Sequence, residues 1–412
     1  MQSSTCDDSL NHESKSELQM DPNETIQLPR IWYDDQLLKR LENIHFDVEA
    51  WYKVIHTETF YTEFLPISPS IAQAFVNFYR TRYTSTKPLN ANDIQLIASI
   101  RDQIRGQIFN SNKNEFRRHG AFVRLSSRSP KDGLPLDHRK FRRIYQKKLN
   151  ELEMQNPEAC QSIEGKANMQ MIAFSYAQFL SLKVTDEVQA LNLILSSERV
   201  YYDLNAVLDC QKVKDEQITN TNNIELYDWN NHIIVRQWND RLDPSMEFRC
   251  FVHQSKLTAI TQYDYHCKYY HLQDDQVVQR IKITLIKYWQ DKIQPLLGPL
   301  PEQYSNYVID IGLLENRSKN EYDCIVIEMN PFKTSTGGSL FDWNADSDQL
   351  HGRGDGTEIR VQKDYYPYIS DYMEYVLEVN QCDGKEDLSD NEPGKEPYFI
   401  FLDRVKEQLS LW

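Results

Sequence analysis

Residues 325–332 read Ile-Val-Ile-Glu-Met-Asn-Pro-Phe, and this run constrains the chain more than any other. Its β-branched start predicts a short buried strand, and Pro331, which has no N–H to give to a ladder, ends it. Side chains alternate along a strand, so Glu328 and Asn330 share one face while Ile327 and Met329 turn into a core. A carboxylate and an amide oxygen two residues apart suit a hard cation such as Mg²⁺. A solvated edge strand would carry the same pair. A second run, Tyr307-Val308-Ile309-Asp310-Ile311-Gly312-Leu313, sets a carboxylate mid-strand among apolar residues. A buried carboxylate needs a cation or strong donors. The charged stretch 314–323 reads as the turn between the two strands. Pairing them antiparallel brings Asp310, Glu328 and Asn330 into one small volume as candidate metal ligands. Nearby carboxylates repel, so removing the Asp310 charge is expected to leave the metal-free protein unchanged or slightly more stable.

Met246 to Val252 alternates strictly, with Phe248, Cys250 and Val252 on one face and Glu247, Arg249 and Phe251 on the other. After a four-residue turn, Leu257 to Tyr263 returns, which makes a hairpin. An Arg on a rigid strand suits a phosphate, and a cross-strand salt bridge would use it equally well. Gly120 to Leu125 reads as a strand that carries Arg124 into a hydroxyl-rich, cationic loop with Ser127, Ser129, Lys131 and Asp132. Such a loop can cover phosphates through hydroxyls, N–H groups and charge, or it can be a solvated hairpin loop. Ile233 to Trp238 reads as a buried strand with a polar end. Helices are expected from Pro69, over Asn90–Ile108 with Ile94, Ile97, Ile100 and Ile104 on one side, over the basic stretch His138–Met154, over Val188–Leu195, and over Val277–Ile293. Further helices are expected over Pro367–Val379 and Tyr398–Trp412, with an acidic linker between them.

A net charge of −15 argues against a general nucleic-acid binder. A 40% hydrophobic content is ample for a packed core. No run of 18 apolar residues predicts a membrane span, and the N-terminus lacks the basic and apolar regions of a secretory signal. Seven scattered cysteines, an odd number without CxxC, read as reduced thiols of a cytoplasmic chain. Neither a P-loop, a GxGxxG turn, a GxSxG elbow nor zinc spacing occurs. Asp342, Asn344, Asp346 and Asp348 imitate a calcium loop but lack its Gly and Glu.

The order of these parts resembles the ATP-grasp fold, in which two α+β lobes clasp a nucleotide. By that resemblance Arg124, Ser127, Ser129, Lys131 and Asp132 belong to the phosphate-covering side. Val235, Arg236, Gln237 and Trp238 form a hinge whose backbone reads adenine, Glu247 and Arg249 form the acidic-x-Arg hairpin, and Asp310, Glu328 and Asn330 hold Mg²⁺. FLPIS, FVRLSSRSPKD, MEFRCFV, LTAITQYDYHCKYY, YVIDIGL, VIEMNPF and SLFDW resemble, in order, the cell division cycle protein 123 family. Arg124 stands where that family usually has Lys, and Glu328-Met329 where it has Asp-Phe. The resemblance implies an ATP- and Mg²⁺-binding assembly chaperone whose partner is a translation initiation factor 2 gamma-like subunit. The alternative is an ATP-grasp ligase or kinase using the same site. The expected organisation is an acidic disordered tail (1–27), a helical segment with the first lobe (28–238), a second lobe with the metal site (239–345) and an extension (346–412).

Overall fold

A computed structural model describes residues 39–83, 88–109, 115–133, 138–215, 228–300, 304–316 and 321–366. The tail 1–27 and the helices and linker expected from residue 367 onward lie outside the described residues. The chain is α+β, with two sheets, each backed by helices.

The first sheet is antiparallel, with β1 (Thr62–Pro66), β2 (Ala121–Leu125) and β3 (His232–Gln237) in the order β1-β3-β2. Its strands alternate as a two-sided sheet must. Leu65, Ala121, Val123, Leu125, Ile233 and Val235 enter a core shared with the helices Pro69–Tyr83, Ala91–Gln103, Glu187–Ser196 and Glu198–Asp215. Phe122, Arg124 and Arg236 face the other way, along a cleft. Pro69 opens its helix, and Ser68 Oγ accepts the Ile71 N–H at 3.2 Å, the usual division of labour at an N-terminus. The helix expected over 90–108 is α-helical over Ala91–Gln103 and continues as a π-turn over Ile104–Phe109. Ile97, Ile100, Ile104 and Ile108 are buried along it, and Ile94 is half-buried. The helix Glu198–Asp215 was not anticipated, although Val200, Leu204 and Val207 follow one helical face.

The second sheet runs β7-β6-β4-β5-β8, from β4 (Glu247–His253), β5 (Lys256–Gln262), β6 (Tyr307–Asn316), β7 (Glu321–Pro331) and β8 (Glu358–Arg360). β8 is parallel to β5, and the other pairs are antiparallel. Phe248, Cys250, Val252, Ile309 and Ile311 enter the larger core with the helix Asp275–Tyr288, while Phe251, Ala259 and Val308 pack on the opposite face with Phe341 and Leu350. The β6–β7 hairpin is longer than expected, because both strands continue through most of the stretch read as a charged turn.

Two expected boundaries do not divide this architecture. Val48, Trp51 and Ile55, with Met169 to Ala177 from the helix Ile163–Ser181, belong to the core of the second sheet. A division at 238 therefore cuts across that core. Residues 346–366 are also not an appendage. β8 forms the sheet edge, Val361 is buried, and Arg360 grips Asp346 with two 2.8 Å hydrogen bonds. Asp342 accepts the N–H groups of Asn344 and Ala345 at 2.8 and 2.7 Å, so these carboxylates serve a turn and an ion pair, in keeping with the rejected calcium loop.

β7 departs from simple alternation. Asp310 lies opposite Glu328, yet Ile311 lies opposite Val326, so Ile327 is an extra residue, a β-bulge. The bulge shifts the period by one. Val326 and Met329 therefore enter the core, in place of the expected Ile327 and Met329, and Ile327 lies along the cleft. At the same point Thr59 forms an isolated parallel bridge with Val326, which joins the segment before β1 to β7.

Candidate functional site

Residues of both sheets line a cleft of about 790 Å³. Strand register builds its floor. Thr261, Arg249, Asp310 and Glu328 stand side by side in one row across β5, β4, β6 and β7. Arg249 Nε and Nη2 donate to the two Asp310 oxygens, each at 2.8 Å, and Arg249 Nη1 donates to the Gly337 carbonyl at 2.6 Å. Asn330 Nδ2 donates to Asp310 Oδ2 at 3.3 Å. Asp310 is 0% exposed. Glu328 keeps 17% of its side-chain surface open, and its Oε1 pairs across the cleft with Arg124 Nη1 at 2.6 Å. Each of the two carboxylates is thus already matched by an arginine. The expected apo-state repulsion between them gives way to two ion pairs, so removing the Asp310 charge should destabilise the ligand-free protein.

Lys131 reaches over the same floor. Its Nζ donates to Tyr263 Oη at 2.6 Å and lies 4.5 Å from the Tyr263 ring centroid. Arg249 lies 4.8 Å from that ring, a second cation–π contact. Burial alone would lower the Lys131 pKa, but Tyr263, Glu247 and Glu328 carry it above the ordinary range. Burial pushes Glu328 up, and Arg124 and Lys131 outweigh it, holding the carboxyl at about 2. Burial is also the largest influence on Glu247. It is opposed by Lys131 and reinforced by Asp310, and it leaves that carboxyl at about 7. Arg236 is lowered to about 9, by burial and then by the neighbouring Arg124. A chain of net charge −15 has therefore gathered Arg124, Lys131, Arg236 and Arg249 into one cleft, which makes that cleft suited to an anion.

The remaining expected site residues divide. Ser127 lines the cleft and donates to Asp203 Oδ2 at 2.6 Å. Ser129 Oγ and Trp238 Nε1 are buried along the cleft without a hydrogen-bond partner among the described residues. Trp238 packs against Phe179, with ring centroids 4.9 Å apart, and Phe122 and Leu182 complete an apolar end. The hinge expectation needs correction. β3 is the central strand, so the Gln237 N–H donates to the Tyr61 carbonyl and the Trp238 N–H to the Gly120 carbonyl, and neither is available to a base. Val235 is buried in the core of the first sheet, and the Gln237 side chain donates to Glu115 at 2.9 Å.

Asp132 is a second correction. Its carboxylate accepts from Ser197 Oγ at 2.5 Å and from the Arg199 N–H at 3.0 Å, so it caps the N-terminus of the helix Glu198–Asp215. Asp132→Ala should lower stability by about 1 kcal/mol, the usual loss for a cap. Chemical denaturation reads that loss, and affinity for any cleft ligand should be unchanged.

Tyr263 escaped the sequence reading, although alternation from Thr261 places it on the Arg249 face. Phe179 gave no signal, because only tertiary packing brings it to the cleft, and Thr59 gave none because its partners Arg236 and Val326 are distant in sequence. Gly338 in the loop over Arg249 is required by space: a Cβ there would lie 2.0 Å from the Phe341 carbonyl oxygen.

A family model described as D123 matches residues 161–373, a little over half of the chain. The chain belongs to the D123 family. Within that matched stretch fall Glu247, Arg249, Asp310, Glu328 and Asn330, whereas Arg124 and Lys131 precede it. A translation initiation factor eIF2 assembly protein of Dictyostelium discoideum is 28% identical over 172 residues, 40% of this chain and 37% of that protein. The protein of the same name from Danio rerio is 30% identical over 172 residues, 40% of this chain and 43% of its own length. This D123 chain thus spans less than half the length of these two curated relatives. Among solved structures, the C-terminally truncated Cdc123 from Schizosaccharomyces pombe is 19% identical at a TM-score of 0.48, covering 82% of this chain and 99% of that one. Among the described residues no helix is long and apolar enough to cross a membrane.

Proposed function

We propose that this chain binds Mg·ATP in the cleft and, in that state, acts as an assembly chaperone for translation initiation factor 2, holding its gamma subunit. The observation that carries the nucleotide half is the convergence of Arg124, Lys131 and Arg249 on the Asp310–Glu328–Asn330 corner. Its donor set fits the group. Mg²⁺ takes one or two carboxylates together with phosphate oxygens, and two carboxylates and an amide are present on adjacent strands. Phosphates would find the cations, and the orphaned Ser129 Oγ and Trp238 Nε1 are donors that a polar ligand can satisfy. The aromatic end at Phe122, Phe179 and Trp238 suits a base. The bound cation would supply charge neutralisation for the phosphates, while Arg249 and Arg124 hold the two carboxylates in place.

The chaperone half is supported by the family and by the names of its relatives, and the gamma subunit by the resemblance of the sequence motifs. Isothermal calorimetry with Mg·ATP, followed by capture of purified initiation factor 2 gamma with and without nucleotide, tests both. Saturation should also raise stability by about 2.7 kcal/mol at a hundredfold excess over the dissociation constant. No heat at millimolar Mg·ATP from folded protein ends the nucleotide reading. Capture that fails in both conditions ends the chaperone reading.

A further inference from the structure

We propose that Arg236 is a positioning residue: by gripping the Ile327 carbonyl and Thr59 it fixes the bulge of β7 and so aims Glu328 into the cleft. The inference rests on the reading of the cleft as the Mg·ATP site. Val326 and Glu328 are two residues apart and on a regular strand would share a face. Here Val326 is buried in the core and Glu328 stands in the cleft. The extra residue Ile327 is what makes both placements possible. Flattening the bulge would force one of the two to the wrong side.

The bulge is held from the other sheet. Arg236 on β3 donates Nη1 to the Ile327 carbonyl and Nη2 to Thr59 Oγ1 at 2.6 Å. Thr59 Oγ1 in turn donates to the Val326 carbonyl at 2.6 Å. Two successive carbonyls at the bulge are therefore satisfied by groups far away in sequence. The guanidinium lies 4.8 Å from the Phe60 ring and 5.6 Å from the Trp51 ring. Its fork has two donor directions fixed in one plane, which a lysine ammonium lacks. The partners that the guanidinium grips are a neutral carbonyl and a neutral hydroxyl, and of the charges nearby Arg124 opposes it more than Glu328 supports it. A buried cation in such company is an expensive way to gain stability, and the return is geometric: the same contact ties the two sheets together beside Glu328, at the Thr59–Val326 bridge.

The test uses the full chain with four substitutions: Arg236→Lys, Arg236→Met, Thr59→Val and Thr59→Ser. Hydrogen–deuterium exchange of the ligand-free proteins reads the bulge directly. Calorimetry with Mg·ATP and with ATP in EDTA reads the cleft. Arg236→Lys, Arg236→Met and Thr59→Val should speed exchange across 325–330. They should weaken Mg·ATP by about tenfold or more, the share of one charge-assisted hydrogen bond, and Thr59→Val, which removes no cleft cation, should hold metal-free ATP affinity. Thr59→Ser, which keeps the hydroxyl, should behave as wild type. Should the Arg236 variants not fold, the two Thr59 variants decide alone. Unchanged exchange in β7, or an equal affinity loss with and without Mg²⁺ in Thr59→Val, overturns the proposal. If wild type binds no Mg·ATP, the reading of the cleft fails separately, and the exchange of β7 still shows whether Arg236 holds the bulge.

Discussion

Arg249→Met should lower the stability of the ligand-free protein by about 3–5 kcal/mol, the loss expected when one partner of a buried ion pair is removed. Asp310 is fully buried, and both of its oxygens accept from Arg249 at 2.8 Å. Without the guanidinium, the carboxylate keeps only the Asn330 amide, at 3.3 Å, among the contacts described above. It must then take up a proton or remain as an uncompensated charge. The Gly337 carbonyl loses its 2.6 Å donor as well, which loosens the loop over the cleft. Urea denaturation of the free protein measures the effect. A double variant, Arg249→Met with Asp310→Leu, should recover most of the lost stability, because replacing a whole buried pair by apolar groups is often near neutral. That variant should still not respond to Mg·ATP. A loss below about 1 kcal/mol in the single variant would mean that the pair behaves as an exposed one, and the described geometry would be wrong at its centre.

Glu247→Gln should raise the stability of the free protein at pH 7.5, by about 3 kcal/mol if the whole displacement of the carboxyl is removed. Glu247 is raised from 4.5 to about 7, first by burial and then, against Lys131 and Arg249, by Asp310 and Glu328. A carboxyl whose pKa is higher in the folded state favours folding when protonated. Its penalty is absent below 4.5, grows as the pH rises, and is complete above about 7. Wild type should therefore lose stability through this group between those two values, and the Gln variant should not. Denaturation midpoints of both proteins from pH 4.5 to 8 should coincide at the acid end and diverge at the alkaline end. Curves that stay parallel would show that Lys131 neutralises Glu247 completely.

Much of this site was legible because strand alternation is a two-valued code. The hairpin faces at Phe248, Cys250 and Val252, the mid-strand Asp310, and the pairing that brings Glu328 and Asn330 beside it all follow from that code and from the short spacing of β6 and β7. What was not legible depends on partners distant in sequence. Nothing local distinguishes a central β3 from an edge, yet that decides whether the N–H groups of Gln237 and Trp238 are free. The Asp132 carboxylate looked like part of a phosphate loop because its actual partners, Ser197 and Arg199, lie more than sixty residues on. The bulge at Ile327 broke the alternation code itself, since one inserted residue reverses the sides of everything before it. The division between lobes failed for a related reason: cores are assembled by contact, and the helix Val48–Ile55 reaches the second core from far outside the second sheet's own stretch.

The three-residue strand β8 has a consequence out of proportion to its length. β5 is buried along all but its first residue, and β8 lies along the side away from β4. A chain ending at 345, the boundary that the sequence suggests, would leave the Ala259–Thr261 stretch with its amides and carbonyls open to solvent. Such a free row is a template for a strand from another molecule. Residues 358–360 cover that row and so sit where a plug against such pairing would. Proteolysis within the exposed turn at 353–356 would put that plug at risk while the cleft residues described above remained covalently whole.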